Sequence, residues 1–199
     1  CLTASAELGR AYPSACTASE RFGRHVTVLD TRSLSLGQAY QAIAAAEAMA
    51  AGQQLPEIIR IVQSIRDRTH TYICPDTTKY VRTGGRLEQI LRTIEPILDR
   101  LRMRVLLRVK DGQLGILGTS FSQAHGVWRM RREIIRRGPA EIISVMHTRR
   151  AAAAQDLAHR LGKALDFPPK DVLITQAGPV LSCIVGPGAI AAAIVHRRS

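Results

Sequence analysis

The period of the apolar positions changes several times along this chain, and each change marks an element. Val26-Thr27-Val28-Leu29-Asp30 is a β-branched run closed by the polar Thr31-Arg32-Ser33, which predicts a short buried strand. From Gly37 to Ala51 an Ala-rich stretch carries Ile43, Ala46 and Ala50 on one face, and Gly52 stands where a helix C-cap is expected. A second helix follows. Pro56 suits a first helical turn, and Ile58, Ile59, Val62 and Ile65 form a stripe at the 3.6 period, with Arg60, Arg66 and Asp67 outside it.

Tyr72-Ile73-Cys74 reads as a strand, and after Thr83-Gly84-Gly85-Arg86 a helix is expected with Leu87, Ile90, Leu91, Ile94, Ile97, Leu98 and Leu101 on one face and a kink at Pro96. Residues 105–109 and 114–117 then predict a hairpin, because Asp111-Gly112 supplies the positive φ of a two-residue turn. An Arg-rich amphipathic helix over Trp128 to Arg137, a strand over Glu141 to Met146, a helix over Ala151 to Leu161 and a strand over Val172 to Thr175 complete the alternation. The tail from Ile190 to Val195 suits a strand or a helix. Strands alternating with helices predict an α/β fold with two domains. The first extends to about residue 71, and the hairpin at Asp111-Gly112 points to a mixed sheet in the second.

Composition narrows the function classes. The 199 residues are 46% hydrophobic and carry a net charge of +12, nearly all of it from Arg, which excludes wholesale disorder. No apolar run approaches the roughly 20 residues of a bilayer-spanning helix, so no stable membrane insertion is expected. Cys1, Cys16, Cys74 and Cys183 show no paired spacing and read as buried thiols of a reducing, cytoplasmic compartment. The six His lack ligand spacing, so no metal is expected. The basic run at 128–137 invites a nucleic-acid reading. A solvated helix face is favoured over it, because no cluster of aromatics lies beside the arginines.

Three stretches could hold a ligand. In Thr83-Gly84-Gly85-Arg86-Leu87, two glycines at the mouth of a helix bare their amides and admit a polar group, while Arg86 could pair with a carboxylate or phosphate. A tight turn with a solvated Arg is equally open from the residues alone. Gly186-Pro187-Gly188 makes a rigid turn of close approach, and Ser5 offers a hydroxyl that by itself reads as a cap. No nucleophile elbow, Walker loop or GxGxxG is present.

Taken in order, the stretches resemble the DegV family, bacterial fatty-acid-binding proteins that include the carrier subunit of fatty acid kinase. Val28 to Gly37 is similar to the family's strand with its acidic Ser-rich turn, Asp76-Thr77 and Tyr80 to Leu87 to its Gly-Gly-Arg-Ile signature, and Gly178-Pro179-Val180 with Val185 to Ala189 to its closing motif. The chain also departs from the pattern. Ile184 stands where the family has His, Thr119-Ser120-Phe121 stands where it has Lys-x-Arg, and Ser5 to Tyr12 keeps Ser5, Leu8 and Tyr12 of a Ser-Ser-x-Leu-Ser-Gly-Thr-Tyr pattern. The family's opening strand and early hydroxyl loop would precede Cys1, so an N-terminally truncated fragment is expected; the resemblance implies that residues 1–71 are the C-terminal part of a parallel three-layer α/β domain and residues 72–199 a mixed-sheet two-layer α/β domain.

The resemblance implies a non-enzymatic carrier. A single long-chain fatty acid would lie in an apolar tunnel as ligand, with no cofactor, and its carboxylate would be presented to a fatty acid kinase partner. Ser5 and Arg86 are the expected carboxylate contacts, with Gly84 and Gly85 admitting its approach. Ile184, Gly186, Pro187 and Gly188 form the expected ligand-proximal turn. Two alternatives stay open: a divergent lipid binder not coupled to a kinase, and a basic DNA-associated regulator. An enzyme ranks third.

Overall fold

The computed structural model describes residues 1–77, 98, 100–101 and 103–198. They divide into two compact units, Cys1–Thr71 with Val109–Gln113, and Tyr72–Arg108 with Leu114–Ser199.

In the first unit β1 (Leu2–Thr3) pairs in parallel with β2 (Leu29–Asp30), Leu2 opposite Leu29 and Thr3 opposite Asp30. The strand expected over 26–30 is therefore shorter, because its partner offers only two residues to pair with, and both of its own are half-buried rather than buried. Between the two strands runs α1 (Ala11–Ser19), which the sequence pattern does not reveal: none of its side chains is buried, so no apolar stripe announces it. Next comes α2 (Ser35–Ala50), and its end follows from Gly52. With φ of +75° there, the amide of Gly52 donates to the Met49 carbonyl at 3.0 Å and that of Gln53 to Ala48 at 3.0 Å, satisfying carbonyls the helix leaves bare. The last helix of this unit, α3 (Leu55–Arg68), has Pro56 and Glu57 in its first turn and Arg66 and Arg68 in its last, each charge suited to the helix dipole. It turns Val62 and Ile65 inward. The buried set of this unit is unusually polar, with Thr3, Ser5, Thr31, Ser33 and Gln41 beside Tyr40, Ala48, Val62 and Ile65.

A six-stranded sheet continues from β3 (Thr69–Cys74) through β4 (Arg104–Lys110), β5 (Gln113–Ser120), β6 (Ala140–His147), β7 (Leu173–Gln176) and β8 (Ile190–His196), in the spatial order β5-β4-β3-β8-β6-β7. It is mixed, since β6 runs parallel to β7 and antiparallel to β8. The tail is thus a strand, and its position between β3 and β6 explains its apolar run: Ile190 and Ala192 to Val195 are all buried.

Alternation assigns the two faces of the sheet. Tyr72, Cys74, Leu106, Ile143, Val145, Ile190, Ala192 and Ile194 pack against Met130 and Ile134 of α4 (Gln123–Arg136) and Ala154, Leu157, Ala158 and Leu161 of α5 (Ala151–Ala164). Each fully buried Leu or Ile in this layer contributes roughly 1.5–3 kcal/mol. Ile73, Val105 and Leu107 turn the other way and meet Leu98 and Val185, the latter on α6 (Pro179–Val185). The start of α4 is fixed by Ser122, whose hydroxyl accepts the amide of His125 at 3.2 Å.

Of the helix expected after Arg86, the structure describes the buried Leu98 and the exposed Arg100 and Leu101; Pro96 and the Thr83 to Leu87 turn lie outside the described residues. The cysteines correct the expectation of buried thiols. Cys74 is buried and burial pushes its thiol up to about 12, but Cys16 is half-buried, and Cys1 and Cys183 are exposed; Cys183 sits on α6, which buries none of its side chains.

Candidate functional site

Ligands in parallel α/β layers gather beyond the carboxyl ends of the strands, where the departing segments diverge. Ser5 and Thr31 to Ser33 occupy that end of β1 and β2. Ser5 is 1% exposed; its amide donates to the Ser33 carbonyl at 2.9 Å, and its hydroxyl donates to the Gly112 carbonyl at 2.7 Å and accepts the Glu7 amide at 3.2 Å. Asp30 organises backbone, its Oδ1 accepting the amides of Ala6 at 3.3 Å and Arg32 at 2.8 Å. Arg32 and Ser35 take left-handed φ of 48° and 52°, a conformation that costs non-glycine residues about 1–3 kcal/mol and gathers at ligand sites.

Gly112 joins these residues. Its φ is +84°, and a Cβ there would lie 2.8 Å from the Ser5 hydroxyl and 3.3 Å from the Arg32 Cβ, so only glycine lets the hairpin tip approach both. The exposed Arg32 thus stands beside Ser5, with Lys110 two residues before Gly112. A hydroxyl beside a guanidinium suits a carboxylate, while Lys110 pairs with Asp111 at 3.6 Å. Because the Ser5 hydroxyl donates to a carbonyl rather than to a base, nothing in this arrangement activates it as a nucleophile.

In the second unit, Thr148 grips the Gly186-Pro187-Gly188 turn. Its buried hydroxyl donates to the Gly186 carbonyl at 2.7 Å and accepts the Ala189 amide at 2.8 Å, while its carbonyl accepts the Gly188 amide at 2.9 Å. Gln123 donates to the Gly188 carbonyl from the start of α4. Gly186 and Gly188 have φ of 78° and 79°, and a Cβ on Gly188 would come within 2.9 Å of Asp76 Cβ. The Asp76 carboxylate lies 3.9 Å from both the Arg104 and Arg150 guanidinium groups. Ile184 stands on α6 with 49% of its surface exposed, and Phe121 is also exposed, its carbonyl accepting from Arg104 at 3.1 Å.

The structure therefore groups Ser5 with Gly112 and Arg32, and groups Ile184 with Gly186, Pro187 and Gly188. Arg86, Gly84 and Gly85 lie outside the described residues. Arg32 and Thr148 are not candidates from the sequence, and Asp76 enters there only within the motif that carries the family resemblance. The only signal for Arg32 was its place in the polar turn after the 26–30 run. Among the described residues, no group of three or more His, Cys, Asp or Glu could hold a metal ion, and no helix is long and apolar enough to cross a membrane.

A parallel strand pair in one unit, and a mixed sheet layered with helices in the other, define a two-unit α/β protein. The chain belongs to the DegV family: the family model described as "Uncharacterised protein, DegV family" matches residues 1–197. A DegV domain-containing protein of Mycobacterium bovis is 29% identical over 189 residues, covering 94% of this chain and 66% of the relative; the chain thus spans about two thirds of that relative's length. Among solved structures, a DegV family protein from Corynebacterium glutamicum superposes with a TM-score of 0.88 at 24% identity, over 100% of this chain and 75% of that one. A DegV family protein from Eubacterium eligens, loaded with heptadecanoic acid, gives 0.84 at 17% identity, over 98% and 72%. The fold is that of the two-domain DegV proteins.

Proposed function

We propose that this chain is a cytoplasmic, non-enzymatic carrier that holds one long-chain fatty acid in an apolar tunnel and presents its carboxylate to a fatty acid kinase. Family membership over residues 1–197 carries the reading, and the heptadecanoic acid in the Eubacterium relative supports the ligand class. Tail burial supplies most of the affinity, at about 0.8 kcal/mol per CH₂. At the head, Ser5 exchanges a neutral bond to the Gly112 carbonyl for a charge-assisted one to the carboxylate, with Arg86 as its cation, Gly84 and Gly85 admitting its approach, and Arg32 flanking it. The Ile184, Gly186, Pro187 and Gly188 segment lines the approach to the head group.

The exposed Ile184, where the family has His, favours as second reading a lipid binder uncoupled from any kinase. A titration of heptadecanoic acid tests the head-group assignment. Arg86→Ala is expected to weaken binding by about 1.5–3 kcal/mol, the range for a charged hydrogen bond. Arg160→Ala, removing an exposed guanidinium paired with Asp156 on α5, is expected to change nothing. Equal losses at both positions would show general basicity instead of a site.

A further inference from the structure

The solvent side of α4 carries Trp128, Arg132 and Arg136 at i, i+4 and i+8, so the three form one stripe. Trp128 is 45% exposed. Its ring stacks on His125 with centroids 5.7 Å apart, and the Arg132 guanidinium carbon lies 5.7 Å from its centroid. Beside the stripe opens a cavity of about 270 Å³, lined by Leu106 and Leu117 together with Trp128, Arg129, Arg132, Arg136 and the carboxylate-bearing Glu133.

Charge on this face is only partly compensated. Residues 123–137 contain Arg129, Arg131, Arg132, Arg136 and Arg137 against a single carboxylate, Glu133. That carboxylate is only 15% exposed and already serves Arg136 at 2.9 Å, Arg137 at 3.1 Å and Arg108 at 3.9 Å. Arg129 donates to the Thr119 carbonyl. Among the described residues, neither Arg131 nor Arg132 has a carboxylate partner. A structural helix face gains nothing from such a surplus, since adjacent guanidinium groups repel.

Tryptophan and arginine are the side chains that most often anchor protein interfaces, and the cavity adds a place for an apolar anchor. A polynucleotide fits less well: its small sugar and methyl groups reach Leu106 and Leu117 less fully than a leucine-sized side chain, and a stacking base would compete with His125 and Arg132 for the indole. We propose that this face docks an acidic segment of a partner protein, its carboxylates meeting Arg132 and Arg136 and one of its apolar side chains entering the cavity. The inference is independent of the fatty-acid reading.

Trp128 is the only tryptophan of the chain, so its emission reports on this face directly. The probe is a short peptide with one leucine between glutamates, titrated into the chain at low salt. The expected result is a saturable change in Trp128 emission that weakens about tenfold in Arg132→Glu and in the charge-neutral Arg132→Gln, and is unaltered in Arg160→Glu. Glutamine for glutamate, or asparagine for leucine, in the peptide is expected to abolish it. Thermal midpoints of the variants equal to that of the parent chain establish that they are folded; Arg132 is exposed and makes no hydrogen bond to the fold among the described residues. The proposal is overturned if emission does not respond, if the Arg132 variants bind as well as the parent, if an oligothymidylate binds more tightly than the peptide, or if the emission change follows self-association of the chain.

Discussion

At the scale of the residue, Ile184 tests where the ligand's head group lies. A core position would punish any polar substitution, but this side chain is about half exposed on a helix that buries none of its side chains, so Ile184→His should change stability by no more than about 0.5 kcal/mol. Two residues on begins the turn that Thr148 grips, which fixes the backbone from which the new ring would project. A histidine ordinarily titrates near pH 6.5. Below that value the imidazolium attracts a carboxylate and not its methyl ester; above it the neutral ring loses that preference. The expected outcome is a ratio of acid to ester affinity that rises as pH falls from about 8 to 5.5 in the His variant and stays level in the parent chain. An unchanged ratio at every pH, in a variant with the parent's thermal midpoint, would place the head group elsewhere.

At the scale of the element, the β4–β5 hairpin joins fold and site, because its tip carries the glycine that Ser5 touches. Asp111 and Gly112 have φ of 51° and 84°, the two left-handed residues that a tight hairpin of natural twist requires. Gly112→Ala incurs two penalties, a strained φ and a Cβ 2.8 Å from the Ser5 hydroxyl, and is expected to cost about 1–3 kcal/mol in urea unfolding. Gly9→Ala, with nothing within 4 Å of its added Cβ and no positive φ, is expected to be neutral or slightly stabilising. The hairpin was legible because a dipeptide encodes it, and α3, α4 and α5 were legible because each repeats apolar residues at the helical period. α1 and α6 were not, since helices that bury no side chain leave no stripe. The tail was ambiguous because an apolar run has no period, and only its central place in the sheet decides it. The site divides in the same way. The Gly-Pro-Gly turn stands out as a local motif, whereas Ser5 reads locally as a cap and becomes a site candidate only through the family resemblance. The bond from Ser5 to Gly112 spans 107 residues and that from Thr148 to Gly186 spans 38, distances at which no local pattern carries information.

At the scale of the whole molecule, the charge of +12 complicates any demonstration of fatty-acid binding, because such a chain attracts every anion. Tail burial and charge attraction differ in two measurable ways. Each CH₂ transferred from water contributes about 0.8 kcal/mol whatever the salt, so two further methylenes tighten binding roughly fifteenfold. Attraction between exposed charges is screened within about 10 Å at 0.1 M salt and about 3 Å at 1 M. A ligand that binds only the folded chain raises its stability by about 2.7 kcal/mol at one hundred times its dissociation constant, so the thermal midpoint reads the affinity directly. With the ligands held below their micellar concentrations, heptadecanoic acid is expected to raise the midpoint most. Its methyl ester, which keeps the tail and loses the charge, should raise it less, and octanoic acid hardly at all. Because Ser5, the proposed carboxylate contact, is buried rather than exposed, this order should persist in 1 M salt. A midpoint shift that ignores chain length, or that vanishes at high salt, would assign the effect to the basic surface and remove the carrier reading with it.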